Sequence, residues 1–397
     1  MEIYVLDRLY NQIGIVDGFT SFLWVKRYYQ FGDCEIYISA TRENIALLRK
    51  GHFILRSDDP DMVCRIRTIE LETNEETGDF LVVKGEDCRA ILNQRIVWKQ
   101  TNFKGQAGTF ISRLLDQNII DPTNDPAHNG QRKISNFRRA GWTGFTDNID
   151  IQTTYDPVGD KIIEVCQTFK YGSKVSFEDN KFVFSLYKGT DRSYGQNVNP
   201  FVVFSPNFEN LISTRYTMDS TGYYSIALVG GVGEGSNRHR VTSHIGDYVG
   251  IDRYEMFVDA NDISNELAYE DLVALYPNGT ISTVSDKVYY SVSGVRIATL
   301  DSATEPNQAV LENDPYHEML TERGKERLAE TGTVITFDGQ VEPNHSFKYG
   351  KDYFLGDVVT VINEYGIEAN ARITEVIESF DETGHSIIPT FEYIEVN

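Results

Sequence analysis

Cys34-Glu35-Ile36-Tyr37-Ile38 alternates between two faces, as an extended strand with one buried side does. Phe80-Leu81-Val82-Val83 repeats the pattern less cleanly, and Glu72 to Asp79 is a polar turn between two strand-like runs. Residues 1 to about 98 therefore read as strands with one short helix. That helix opens at Thr41 as N-cap, closes with Arg49 and Lys50, and stops at Gly51. The other end of the chain reads the same way. Tyr353 to Ile362 and Ile367 to Ser379 flank a Tyr365-Gly366 turn, and Asp381-Glu382-Thr383-Gly384 turns into His385 to Val396. Aromatics are 12% of the chain, mostly 23 Tyr and 22 Phe, which favour strands.

The middle is mixed. Phe110, Ile111, Leu114 and Leu115 form one stripe of a helix from about 106 to 117, and Asn, Asp, Pro and Gly fill a loop from Asp121 to Gly130. Ile162, Ile163, Cys166 and Phe169 give a second helix within 160–169. Val175-Ser176-Phe177 pairs with Phe182 to Tyr187 across Glu178-Asp179-Asn180-Lys181, putting Phe182, Phe184 and Leu186 on one face. A further strand pair is expected between Leu211–Met218 and Tyr223–Val229, joined by Asp219-Ser220-Thr221-Gly222. Residues 259–330 carry mostly helical signals, including a helix capped by Asp314 with Pro315 at its first position. The order β, mixed, β predicts a β-rich α+β protein with β barrels or sandwiches at both ends.

The chain has 397 residues and a net charge of −22, room for two to four domains and a core without disulfide or metal staples. So acidic a chain repels nucleic acid and anionic membranes unless it carries a local basic patch. Arg132, Lys133, Arg138 and Arg139, beside Trp142, are the densest basic stretch and read as ion-pair partners for the surplus acids. The four cysteines, Cys34, Cys64, Cys88 and Cys166, form no CxxC pair or zinc spacing, which fits a reducing folding compartment. The N-terminus lacks the pattern of a secretory signal, and no apolar run approaches a membrane span. The Asn278-Gly279-Thr280 sequon therefore reads as a turn.

Local motifs yield no catalytic residues, no metal ligands and no cofactor site. Gly230-Gly231-Val232-Gly233-Glu234-Gly235 lacks the third glycine and following helix of a dinucleotide loop, and Glu234 would oppose a phosphate. His239 and His244 are five apart, which suits neither a helical metal pair nor one strand face. Asp259-Ala260-Asn261-Asp262-Ile263 fails as a calcium loop at its fifth and sixth positions and reads as a capping cluster. No GxSxG elbow occurs. Carboxylate pairs are too abundant among 59 acids to indicate a glycosidase by themselves.

Several phrases, in order, resemble siphophage tail proteins of the baseplate-hub or tail-tip type, including the N-terminal hub part of tail-associated lysins. They begin with Arg27-Tyr28-Tyr29-Gln30-Phe31-Gly32-Asp33-Cys34-Glu35, where Cys34 replaces the family's usual Phe, and Gly85 to Trp98, which includes Arg95. Tyr187-Lys188-Gly189-Thr190-Asp191-Arg192, Val203-Phe204-Ser205 and Asp252-Arg253-Tyr254-Glu255 follow. The last are Arg323-Gly324-Lys325, Tyr353-Phe354-Leu355-Gly356-Asp357, Arg372-Ile373-Thr374 and Pro389-Thr390-Phe391. The motif positions are Gly32, Asp33, Glu35, Arg95, Gly189, Asp191, Arg192, Arg253, Glu255, Gly324, Gly356, Asp357 and Arg372.

The resemblance implies a structural, non-enzymatic role in the virion, at the tail tip, after assembly in the bacterial host cytoplasm. It implies two β-barrel domains, residues 1–98 and residues 200–230 with 333–397, around an inserted mixed α/β domain of 99–199 and 231–332. It implies a homotrimer that closes the tail tube, with a distal tail ring protein, a tape-measure protein and tip or receptor-binding proteins as partners. DNA would pass through the channel without being bound. Some relatives carry a C-terminal cell-wall hydrolase, which this chain, ending at Asn397, is expected to lack. The rival expectations are a carbohydrate-active hydrolase on a β scaffold and a glycan- or receptor-binding tail module.

Overall fold

A computed structural model describes residues 2–59, 61–73, 78–122, 130–341, 347–382 and 384–393. The architecture is β-rich α+β. Much of the predicted Glu72–Asp79 turn and of the Asp121–Gly130 loop, together with Thr383, lies outside the described residues.

One large sheet joins both ends of the chain. Its main path runs Leu211–Asp219, Val334–Val341, Gly384–Tyr393, Glu368–Asp381, Phe19–Arg27, Asp33–Ser39, Phe80–Asp87, Val63–Glu72, Phe53–Arg56, Ile3–Leu6, Gln12–Val16. The path does not close among the described residues. In Asp33–Ser39 the alternation is as expected, with Cys34, Ile36 and Ile38 buried beside Phe22, Trp24, Ile66 and Val83. Thr41 caps the short helix Arg42–Leu47 by accepting from Asn44 N at 3.1 Å. The chain then turns at Gly51, whose φ of +88° suits glycine.

Glu368–Asp381 is the strand that links the ends. Its first half pairs with Val358–Ile362 and its second half with Phe19–Arg27, from Glu375↔Arg27 to Phe380↔Phe22. A register shift between Ile373 and Glu375 separates the halves. The bulge swaps which residues point inward, so Ala369, Ala371 and Ile373 are buried before it, and Val376 and Glu378 after it. Ala371, Ile373, Val376, Phe204, Val359, Val361 and Phe391 pack in a C-terminal core.

Ala107–Leu115 and Val158–Phe169 are helices that bury Phe110, Ile111, Leu114, Leu115, Ile162 and Cys166 against Phe182 and Phe184. The hairpin Gly172–Glu178/Lys181–Tyr187 pairs as expected, through a turn with positive φ at Asp179 and Asn180.

Several expectations fail. The first helix ends at Leu47 with Leu48 as its C-cap, so Arg49 and Lys50 lie beyond its last turn and do not close it. Leu211–Asp219 does not pair with the next strand; it pairs with Val334–Val341. Ile226–Gly230 instead joins a small sheet between Arg240–His244 and Glu255–Asp259. The region 259–330 is not mostly helical. It carries a five-stranded sheet of Glu266–Ala268, Gln308–Leu311, Val295–Leu300, Lys287–Val292 and Thr280–Val284, besides the helices Tyr269–Leu275 and Asn313–Glu330. Glu312 is the N-cap of the longer helix, so Asp314 sits in its first turn, where a carboxylate favours the helix dipole, and does not cap it. Both sheets pack with this helix in a lobe whose core includes Val229, Val258, Leu267, Tyr290, Tyr316 and Leu320.

Candidate functional site

Most of the motif residues converge where the two ends of the chain meet, namely Gly32, Asp33, Glu35, Gly189, Asp191, Arg192, Gly356, Asp357 and Arg372. After the strand Phe19–Arg27, Tyr28 N donates to Thr374 O at 2.8 Å, beside the bulge. The Tyr28 ring is fully buried. Its hydroxyl donates to Lys170 O at 3.1 Å and accepts from Gly189 N at 3.3 Å. Arg372 lies over the ring with its guanidinium carbon 5.4 Å from the centroid, and its Nη1 donates to Gly356 O at 2.7 Å.

Glycine is required at two positions here. A Cβ on Gly356 would enter the Tyr28 ring, and its φ is +94°. A Cβ on Gly189 would overlap the Gly356 carbonyl. Next to them Asp357, only 3% exposed, accepts from Thr190 N at 2.7 Å, Arg192 Nε at 2.8 Å and Phe354 N at 3.0 Å. Three donors satisfy a carboxylate that burial alone would disfavour. Asp191 Oδ1 accepts from Ser193 N at 2.9 Å and stays within its own turn. Arg192 N donates to Val358 O, and Val358 N to Thr190 O, so the 189–192 segment is stitched onto the C-terminal strand.

A second set secures the N-terminal side. Arg27 donates to Glu375 Oε2 at 2.6 Å, to Asp33 Oδ2 at 2.7 Å and to Phe31 O at 2.8 Å. A Cβ on Gly32 would overlap Val25 O, and Gly32 N donates to Asp87 Oδ2 at 3.2 Å. Asp87 also holds Arg89, a buried guanidinium that donates to the carbonyls of Arg27, Gln30 and Ser173. Glu35 faces Lys84 at 3.7 Å on the exposed side.

Sequence reading missed Glu378, 4% exposed, which takes Arg56 Nη1 at 2.8 Å and lies 3.7 Å from Lys26 Nζ. Arg56 also binds Asp58, whose carboxyl this hydrogen bond holds below the usual range. The signal was weak, because Glu378 is one acid in a strand with no local motif. A cleft of about 560 Å³ adjoins the junction, lined by Asp58, Asp59, Lys174, Lys188, Tyr349 and Asp357.

The remaining motif positions lie elsewhere. Arg95 donates to Arg132 O at 2.7 Å, and Arg253 and Glu255 pair with each other at the surface. Gly324, on the lobe helix, meets Ser243 and Val229 so closely that a Cβ would collide with both.

The groups tested for chemistry resolve into contacts. His239 meets not His244 but His317, Nδ1 to Nε2 at 3.3 Å, and burial first, then the His239 charge, lowers the pKa of His317 below the usual imidazole value. Arg138 pairs with Glu178 and Arg139 with Asp116. Asp262 binds Arg323, and Asp259 binds Arg238. All four cysteines are free and buried. Among the described residues no cluster of three His, Cys, Asp or Glu could hold a metal, and no helix is long and apolar enough to cross a membrane. The site's charges are paired with one another across segments far apart in sequence. Such an arrangement holds segments in register.

The fold is shared with phage tail proteins. The 43 kDa tail protein of prophage MuSo2 from Shewanella oneidensis superposes with a TM-score of 0.53 at 11% identity, over 98% of both chains. The tail protein from Neisseria meningitidis MC58 gives 0.52 at 12%, over 98% of this chain and 96% of that one. The prophage tail protein gp18 from Listeria monocytogenes EGD-e gives 0.50 at 11%, over 100% and 96%. No curated protein sequence matches the chain. The chain belongs to the siphovirus ReqiPepy6 Gp37-like protein family, whose model matches residues 2–391. The siphovirus family and the fold shared with those tail proteins agree with the siphophage tail protein that the sequence phrases resemble, a structural chain without catalysis.

Proposed function

We propose that this chain is the hub of a siphophage tail tip: a homotrimer that closes the tail tube and carries tip or receptor-binding components. The observation that carries the reading is the single sheet joining the two ends of the chain, locked by Tyr28, Gly189, Gly356 and Asp357. A tube wall needs two β modules held at a fixed angle, and this junction is built to hold them. Residues 1–98 form one tube-lining barrel module. Residues from about 200 to 219 with 333–397 form the other, and Ile226–Gly230 belongs with the periphery by its pairing. Three copies, each supplying two modules, make a ring of six, which matches a hexameric tube to a threefold tip.

The partners in this reading are a distal tail ring protein, the tape-measure protein and tip proteins, with the chain in the virion. The net charge of −22 gains a use there, because a carboxylate-lined lumen repels DNA phosphates and lets the genome slide. Light scattering on the purified chain tests the assembly. Three times the chain mass is expected, alone or with the ring protein. A strict monomer under both conditions would overturn the trimer.

A further inference from the structure

We propose that Glu164 and Glu326 form a proton-dependent clasp between the helices Val158–Phe169 and Asn313–Glu330, fastening the lobe to the main body while one proton is bound and loosening when it leaves. The lobe needs such a clasp because its seam with the body is polar. The apolar cores on the two sides are separate clusters. Between them Ser264 N donates to Gln152 Oε1 at 2.7 Å, Gln152 Nε2 donates to Ser264 O at 3.2 Å, and Gln100 Nε2 donates to Glu266 O at 3.2 Å. A cleft of about 870 Å³ opens along the seam, lined by Lys104, Asp150, Asp314, His317, Glu318 and Lys325.

The charges at the helix contact do not balance. On one side stand Asp156, Lys161 and Glu164, and on the other Asp262, Arg323, Glu326, Arg327 and Glu330. Each cation is committed to an acid other than Glu326. Lys161 holds Glu164 at 2.6 Å, Arg323 holds Asp262 at 2.9 Å, and Arg327 holds Glu330 at 2.8 Å. Glu326 reaches Arg323 only at 3.7 Å, beyond a hydrogen bond. Glu164 Oε1 is buried with no hydrogen-bond partner. The contact therefore sets five carboxylates against three cations, with Glu326 lacking a close cation and one Glu164 oxygen lacking a donor, and a proton shared between these two carboxyls relieves both of those costs. Burial first, then the Glu164 charge, pushes the Glu326 carboxyl up to about 7.

The direction follows. In an undocked lobe Glu326 reverts to an ordinary carboxyl, near 4.5. Docking takes up a proton between that value and about 7, so the seam is tightest on the acid side and weakens as pH rises through this window, then levels off.

Hydrogen exchange on the full chain, corrected for intrinsic rates, tests the clasp. Protection of the Ser264 amide and of the helix Asn313–Glu330 should fall at least about tenfold from pH 5 to pH 8, while amides of Asp33–Ser39 hold theirs. Glu326→Gln should abolish that dependence, and Glu164→Gln should shift it towards acid by removing the repelling charge. An unchanged profile in Glu326→Gln, or no fall in the wild type, would overturn the proposal. If Glu326→Gln does not fold, an unshifted Glu164→Gln profile does so instead.

Discussion

Arg192 Nε donates to the buried carboxylate of Asp357 at 2.8 Å, joining positions 165 residues apart in the sequence. Asp357 also takes the backbone N–H of Thr190 and Phe354, so one side chain ties the 189–192 segment to the C-terminal strands. Asp357→Ala strands a guanidinium and two amides. It should cost about 3–5 kcal/mol in urea unfolding, as loss of one member of a buried pair does. Arg253→Ala, which breaks only the surface pair with Glu255, should stay within about 0.5 kcal/mol.

The glycines beside that pair should be sensitive too, by a smaller amount. Gly356→Ala places a methyl in the Tyr28 ring at a φ of +94°, and about 1–3 kcal/mol of destabilisation is expected from denaturation curves. Gly195→Ala, with nothing within 4 Å of the added carbon, serves as the neutral control.

Stability on the acid side should depend on Arg56. Its hydrogen bond lowers the Asp58 carboxyl, so that contribution is present above the unfolded value and is lost as pH falls through the depressed one. Arg56→Met should move the acid limb of a melting-temperature profile to higher pH. The same change leaves Glu378 buried without its 2.8 Å partner and should lower the melting temperature at neutral pH as well.

The cysteines should be inert in the native chain. All four are buried and free, and burial pushes the Cys166 thiol up to about 12 and those of Cys64 and Cys88 well above the ordinary value. An alkylating probe read by mass spectrometry should label none natively and four in denaturant. Native labelling at Cys166 would contradict the packing around the helix Val158–Phe169.

Elements whose partners are near in sequence were legible. The strand around Cys34–Ile38, the Thr41 cap, the stripe at Phe110 to Leu115 and the hairpin through Asp179-Asn180 all stand as read. The long-range pairings were not. Asp219 does start a turn, accepting from Thr221 N at 2.9 Å, but the strand before it pairs more than a hundred residues downstream. The lobe's sheet was missed for a different reason. Its signals were there in Lys287–Val292 and in tight turns with positive φ at Ser285-Asp286 and Ser293-Gly294, but helical periodicity nearby outweighed them. At the site, the glycine and charge phrases marked the residues without saying that Gly189 touches Gly356. That contact depends on the fold, as does the burial of Glu378 beside Arg56.

The central claim is that three copies of this chain form the wall of the tail tip. Cryo-microscopy of tail particles containing the chain tests it directly. The account predicts threefold density at the tip, with six β modules around an acid-lined lumen and the Tyr28–Gly356 junction inside each protomer. A chain found only as single copies on the outside of the tail, or a basic lumen gripping DNA, would contradict it.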